Sequence, residues 1–220
     1  MKTNLNSLFF DVDTQNDFIE KTGALYVPGA ETLKPNFKAL IEYARRSKIP
    51  VWGSVDAHLA SDPELIQNQG PFPNHCMLGE VGQQKIRETT PINPIWIENR
   101  LYSTTELTKF QKHPHELYFQ KQSFDVFDNP NLAKLIAPFD PIIVFGVATD
   151  YCVLAAVRGL WRLSKTVFLV TDAINAVNVK PDDGQRAMAA MQQAGAIFTN
   201  TKTILNGKFL SNPRVTAGTQ

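Results

Sequence analysis

The stretch PIIVFGVATDYCVLAAV, residues 141–157, decides how this chain folds. Its first half, PIIVFGVA (141–148), is β-branched, aromatic and apolar on both faces. That is the mark of a strand covered by helices on both sides. A short polar turn follows, and then Val153, Ala156, Val157, Leu160 and Trp161 recur at helical spacing. A strand passes through a turn into an amphipathic helix, and Cys152 stands at the junction.

Outward from this unit the alternation repeats. LFFDVD (8–13), IPVWGSV (49–55), LYFQK (117–121), TVFLVTD (166–172) and AIFTN (196–200) also read as strands. Between them, Phe37, Leu40, Ile41 and Ala44 mark one helix. Ala187, Ala190, Met191 and Ala194 mark another, with Gly195 as its C-cap. Asn129-Pro130 signals the start of a short helix through Ile136. The alternation predicts a three-layer α/β/α fold with a six-stranded, mainly parallel, Rossmann-like sheet. Residues 1–220 form a single domain on this reading. The region 60–116 is the exception, with Pro63, Pro71, Pro73, Pro91, Pro94 and Pro114 and little periodicity. An irregular insert of that length is expected to serve as a lid or site wall.

Composition narrows the function. Apolar residues make up 43% and charged residues 20%, near globular averages. The net charge is +1 with basic residues scattered, which argues against nucleic-acid or membrane-surface binding. Cys76 and Cys152 do not make a disulfide framework. The N-terminus lacks the plan of a signal peptide, and no apolar run is long enough to span a bilayer. A cytoplasmic, reducing setting is expected, in which Cys152 stays free to react.

Parallel sheets place ligands at the carboxyl ends of their strands. Asp13 ends the first strand, Asp56 and His58 follow the second, Lys121 ends the third, and Ala148 to Cys152 follow the fourth. A cysteine at a helix start meets N–H groups that favour thiolate, and Lys121 adds to that. Asp13 opposes thiolate by charge but can accept the thiol proton. Backbone N–H groups of the GVATD loop can face a developing oxyanion. Together these suit attack on a carbonyl through a thioester. Asp11 shares a strand face with Asp13. Either it pairs with a deeper group or it tunes the base.

These blocks resemble a known family. VDTQNDF (12–18), the lysine of FQKQSFDVF (119–127) and GVATDYCV (146–153) look like the motifs of isochorismatase-like cysteine hydrolases, in the family's order. DAH (56–58) and FPNHC (72–76) look like metal-binding elements of its nicotinamidase/pyrazinamidase branch. The resemblance implies Asp13 as base, Lys121 as third triad member and Cys152 as nucleophile. It implies an oxyanion hole from the N–H groups of Ala148 and Cys152, and a cis peptide at Val147–Ala148. Phe18 and Phe72 match ring-packing positions for the substrate. Asp56, His58 and His75 can gather one divalent metal ion, zinc first with iron or manganese as alternatives. Glu64 is the candidate fourth ligand and Asp62 the reserve. His113 and His115 flank a proline and read as surface residues.

The implied activity is hydrolysis of a small carboxamide, nicotinamide to nicotinate and ammonia, by a homo-oligomer. The alternatives are an amidase for carbamoyl or ureido compounds, and a non-catalytic binding protein on the same fold. The segment QSFDVFDNPNL after Lys121 differs from that of typical nicotinamidases, which leaves the substrate open while the triad stands.

Overall fold

The computed structural model describes residues 6–112, 116–207 and 209. His113 and His115 lie outside these residues. Strands β1 (Leu8–Val12), β2 (Val51–Asp56), β3 (Ile95–Ile97), β4 (Leu117–Lys121), β5 (Ile142–Val147), β6 (Val167–Asn175) and β7 (Ile197–Thr199) form one sheet. Its order is β3-β4-β2-β1-β5-β6-β7, and every pairing is parallel. The sheet therefore has seven strands where the sequence predicted six. The extra one, β3, lies in the irregular insert. It is only three residues long and half-exposed at the sheet edge, so it lacks the long apolar signature of the buried strands.

Helices cover both faces. They are α1 (Asn16–Ile19), α2 (Lys34–Arg46), α3 (Thr104–Gln111), α4 (Leu132–Ile136), α5 (Leu154–Arg162), α6 (Asp183–Gln193) and α7 (Thr201–Leu205). Alternation along β1 sends Leu8, Phe10 and Val12 into one apolar layer and Phe9 into the other. Phe37, Leu40, Ile41 and Ala44 are all buried on α2, as their spacing predicts. On α5 the buried stripe is Ala156, Val157 and Leu160, but Trp161 is exposed. Gly195 closes α6 with a left-handed φ of +88°, which fits its reading as a C-cap. Among the described residues no helix is long and apolar enough to cross a membrane.

Two local outcomes differ from expectation. Helix α3 arises inside the insert, where Ser103 and Glu106 form a reciprocal capping box. Asn129 does not cap α4, which starts at Leu132 with Asn131 as its N-cap residue. Its buried side-chain amide instead donates to Ile97 O, Glu98 O and Gln120 O at 3.0, 3.2 and 3.0 Å, stitching β3 to β4.

The chain passes from β1 to β2 on one side and returns to β5 on the other. β1 and β5 thus flank the point where strand order reverses, the crevice where open α/β sheets bind ligands.

Candidate active site

Four strand ends build the site. Asp56 and Lys121 are directly paired residues of β2 and β4. Val12 pairs with Gly146 on β5, so Asp13 and Ala148 leave the sheet side by side. Gly146 has φ +123°, and a Cβ there would lie 1.9 Å from Val12 O, so only glycine allows this approach. Asp13 takes a left-handed φ of +47°, and the Val147–Ala148 peptide is cis, as the resemblance implies. Residues Thr149–Val153 form one π-helical turn ahead of α5, and Cys152 sits in it.

Asp13, Lys121 and Cys152 come together and are all buried. Lys121 Nζ is 2.9 Å from Asp13 Oδ2 and 3.5 Å from Cys152 Sγ, and it donates to Ser123 O at 3.0 Å. It also donates to Asp56 Oδ1. Burial works against the Lys121 charge, but Asp13 and Asp56 outweigh it and hold the ammonium well above its ordinary range. The thiolate expectation for Cys152 does not survive. Burial pushes its thiol well up, and Asp13 and Asp56 push further against the pull of Lys121. The direction favours the thiol form of Cys152, with the Asp13 carboxylate beside it.

Beside these three residues lie Asp56, His58 and His75, whose ligand atoms fall within 4.8 Å of one another. His75 Nε2 is 3.5 Å from Asp56 Oδ2, and His58 Nε2 is 3.5 Å from Glu64 Oε2. The other ring nitrogens are engaged from behind. His58 Nδ1 lies 3.1 Å from Asp62 Oδ2 and His75 Nδ1 lies 2.8 Å from Pro73 O. In the neutral ring each Nδ1 would be the donor, which leaves each Nε2 a lone pair toward the cluster, as in metal-binding histidines. His58 Nε2 and Glu64 Oε2 are buried with no hydrogen-bond partner among the described residues. Burial and Asp56 raise the Glu64 carboxyl. A carboxylate pair crowded against two imidazole lone pairs fits a divalent cation. Asp62 also accepts from Leu59 N at 2.9 Å, so its position behind His58 makes it an orienting group, whereas Glu64 faces the cluster.

Asp11 takes the first of its two expected roles. It lies deeper than Asp13 and forms a fully buried ion pair with Lys85 at 3.1 Å. It also accepts from Thr14 Oγ1 at 2.8 Å.

The sequence did not single out several residues that shape the site. Gln15 is fully buried and clamps the peptide of Asp56, accepting from Asp56 N at 2.7 Å and donating to Asp56 O at 2.9 Å. Its place next to Asp13 in VDTQNDF was the available signal. A cavity of about 230 Å³ opens onto Cys152, Ala148, Asp56, Glu64 and His75. Phe18 and Phe72 line it as expected, with ring centroids 5.6 and 6.0 Å from that of His75. Tyr151, Phe124, Leu25, Val27, Val177 and Val179 also line it. A larger open hollow of about 590 Å³ between β6 and α6 lacks the thiol, the lysine and the histidines, so the smaller cavity is the one that meets the candidate residues.

The family model described as "Isochorismatase domain" matches residues 7–203. A nicotinamidase of Escherichia coli (strain K12) is 28% identical over 207 residues, covering 84% of this chain and 90% of that protein. Among solved structures, pyrazinamidase of Pyrococcus horikoshii in complex with zinc superposes with a TM-score of 0.72 at 22% identity, covering 89% of this chain and 99% of that one. N-carbamoylsarcosine amidase from Thermoplasma acidophilum gives 0.67 at 23% identity, covering 89% and 96%. These two structures share the fold.

Proposed function

The chain belongs to the isochorismatase domain family, and from that footing we propose that it is a nicotinamidase-like cysteine amidohydrolase. Its favoured substrate is a small carboxamide, nicotinamide first, converted to the acid and ammonia. The observation that carries this reading is Lys121, whose ammonium meets Asp13, Asp56 and Cys152 at once in a buried site. The nicotinamidase relative at 28% identity supports the same assignment.

Cys152 gives its proton to Asp13 as the sulfur attacks the carboxamide carbon. Lys121 offsets the Asp13 charge and keeps the carboxylate aimed at the thiol. The N–H groups of Ala148 and Cys152 receive the oxyanion. Asp13 returns the proton to the leaving nitrogen, and ammonia departs. Water then attacks the thioester with Asp13 as base, which frees the acid and restores the thiol. Phe18 and Phe72 hold the acyl group flat against the cavity wall. Asp56, His58, Glu64 and His75 would hold a divalent ion, zinc by its donor set and iron or manganese as alternatives. When bound, it supplies a Lewis acid that orients the substrate.

The test is ammonia release from nicotinamide, pyrazinamide and ureido compounds, with metal analysis of the same sample. Wild type releases ammonia, and Cys152→Ala loses about 10⁴-fold or more in kcat. Mass spectrometry finds an acyl adduct on wild type alone. Absence of both turnover and adduct with any amide or aldehyde analogue sinks the enzyme reading. Bound metal that is absent, with activity indifferent to a chelator, removes the nicotinamidase assignment.

A further inference from the structure

The segment after Lys121, where this sequence departs from typical nicotinamidases, commits most of its side chains to its own turn. Gln122 Nε2 donates to Ala57 O at 3.0 Å. Ser123 O accepts from Lys121 Nζ, and Ser123 Oγ accepts from Asp125 N at 3.2 Å. Asp125 Oδ1 accepts from Phe127 N at 2.9 Å and caps a short 3₁₀ turn, Val126–Asp128. The Phe127 ring packs on Gly159 of α5, where a Cβ would lie 2.0 Å from it. These contacts fix the segment at both ends of Phe124. Among its described residues, Phe124 alone lines the cavity at Cys152.

Phe124 is 49% exposed and Val179 is 67% exposed, and both belong to the lining of that cavity. A large apolar ring left half in water at a cavity mouth marks a surface for a ligand. From Phe124 a series of rings leads inward without a break. Phe124 meets Tyr151 edge-on with centroids 6.4 Å apart, Tyr151 meets Phe72 edge-on at 5.9 Å, and Phe72 meets His75 edge-on at 6.0 Å. A single six-membered ring can touch only neighbouring members of such a series. One bound between Phe18, Phe72 and His75 leaves Phe124 and the outer face of Tyr151 uncovered.

We propose that Phe124 and Tyr151 form an outer subsite for a planar aromatic substituent, so that the enzyme hydrolyses carboxamides with a second ring distal to the amide. The subsite is continuous with the cavity that holds Cys152, so its occupant is part of the substrate. A planar ring is favoured over a saturated group of the same size because aromatic pairs gain from their edge and face contacts beyond the area they bury. This rests on the amidohydrolase reading above and extends its substrate class outward.

The experiment compares nicotinamide with two derivatives, which carry a phenyl or a cyclohexyl group on the ring carbon meta to both the nitrogen and the carboxamide. Wild type is expected to hydrolyse the phenyl compound with a kcat/KM at least equal to that for nicotinamide, and about fivefold above the cyclohexyl compound. Phe124→Ala should lower the ratio of phenyl compound to nicotinamide about tenfold. Phe124→Tyr keeps the ring and should hold that ratio within about twofold.

Wild type that hydrolyses nicotinamide but refuses the phenyl compound, or treats phenyl and cyclohexyl alike, overturns the proposal and leaves the amidohydrolase reading standing. So does a folded Phe124→Ala enzyme whose ratio does not move. If Phe124→Ala fails to fold, Phe124→Leu decides: loss of the phenyl-over-cyclohexyl preference supports the subsite, and an unchanged preference counts against it. A second copy of the chain is the rival occupant. An oligomer that Phe124→Glu splits, in an enzyme that refuses the phenyl compound, assigns the rim to that contact and overturns the subsite. If no amide is hydrolysed, the amidohydrolase reading itself fails, and calorimetry with the two substituted compounds decides the subsite. Tighter phenyl binding that Phe124→Ala weakens supports it, and equal binding, or none, overturns it.

Discussion

Two side chains outside the triad carry sharp expectations at the scale of the residue. Asp62 touches His58 Nδ1 but does not face the metal cluster. Asp62→Ala should keep all four candidate ligands and still weaken metal affinity about 10- to 100-fold, because the His58 ring loses its orienting partner. A competition titration with a metal-binding dye reads this directly, and unchanged affinity would make Asp62 a bystander. Tyr118 is completely buried, and its hydroxyl meets no hydrogen-bonding group among the described residues. Burial, with Asp11 and Glu116, pushes the phenol well above its ordinary value, and burial does the same to the Cys152 thiol. Both groups bind their protons more tightly folded than unfolded. The stability they contribute is complete below the unfolded values, about 8.5 and about 10, and is lost as pH rises toward the folded ones. Thermal melts should therefore fall above about pH 9, and Tyr118→Phe should blunt the fall at little cost near neutrality. A melting temperature flat across that range would contradict the assignment.

At the scale of the element, the junction of β1 with β5 is the tightest joint in the site. Gly146 pairs with Val12, one residue before Asp13 and two before Ala148. Gly146→Ala puts a methyl carbon against Val12 O at a φ that alanine resists. The expected loss is about 3 kcal/mol or more, read by urea unfolding, with activity falling in parallel because base and oxyanion loop separate together. Elements with long apolar periodicity were legible from sequence: β1, β2, β4, β5, β6, α2 and α6 stand where the pattern put them. Strand β3 and the start of α4 were not. The edge strand is too short to show a period. Asn129, a cap by local rules, is drawn away by carbonyls of β3 and β4 that are distant or unpatterned in sequence.

At the scale of the whole molecule, one buried ion pair joins the sheet to the irregular insert. Asp11 on β1 and Lys85 are buried together, with Lys85 Nζ also 5.1 Å from the Tyr118 ring centre. Removing one partner leaves an uncompensated charge inside. Asp11→Leu alone should cost about 3–5 kcal/mol, whereas Asp11→Leu with Lys85→Met should recover most of it. Chemical unfolding of the single and double variants checks this, and additive losses would show that the pair is not coupled. Lys85 gave no signal in the sequence, since a lone lysine in a proline-rich stretch reads as solvated. Only the path of the insert across β1 takes it out of water.

What the sequence by itself determined is the succession of the long apolar strands and helices, and the placing of Asp13, Lys121 and Cys152 at strand ends. Period and turn chemistry are local, and strand ends fall on one rim of a parallel sheet whatever the details of packing. What only the tertiary structure decided depends on burial and on neighbours remote in sequence. At Cys152, burial and the carboxylates of Asp13 and Asp56 outweigh the pull of the Lys121 ammonium and favour the thiol. Glu64 faces the histidines while Asp62 backs one of them, a choice set by the turn of the chain between them. Part of the apolar wall of the cavity comes from a loop some 25 residues beyond Cys152, held there by the two oxygens of Asp150.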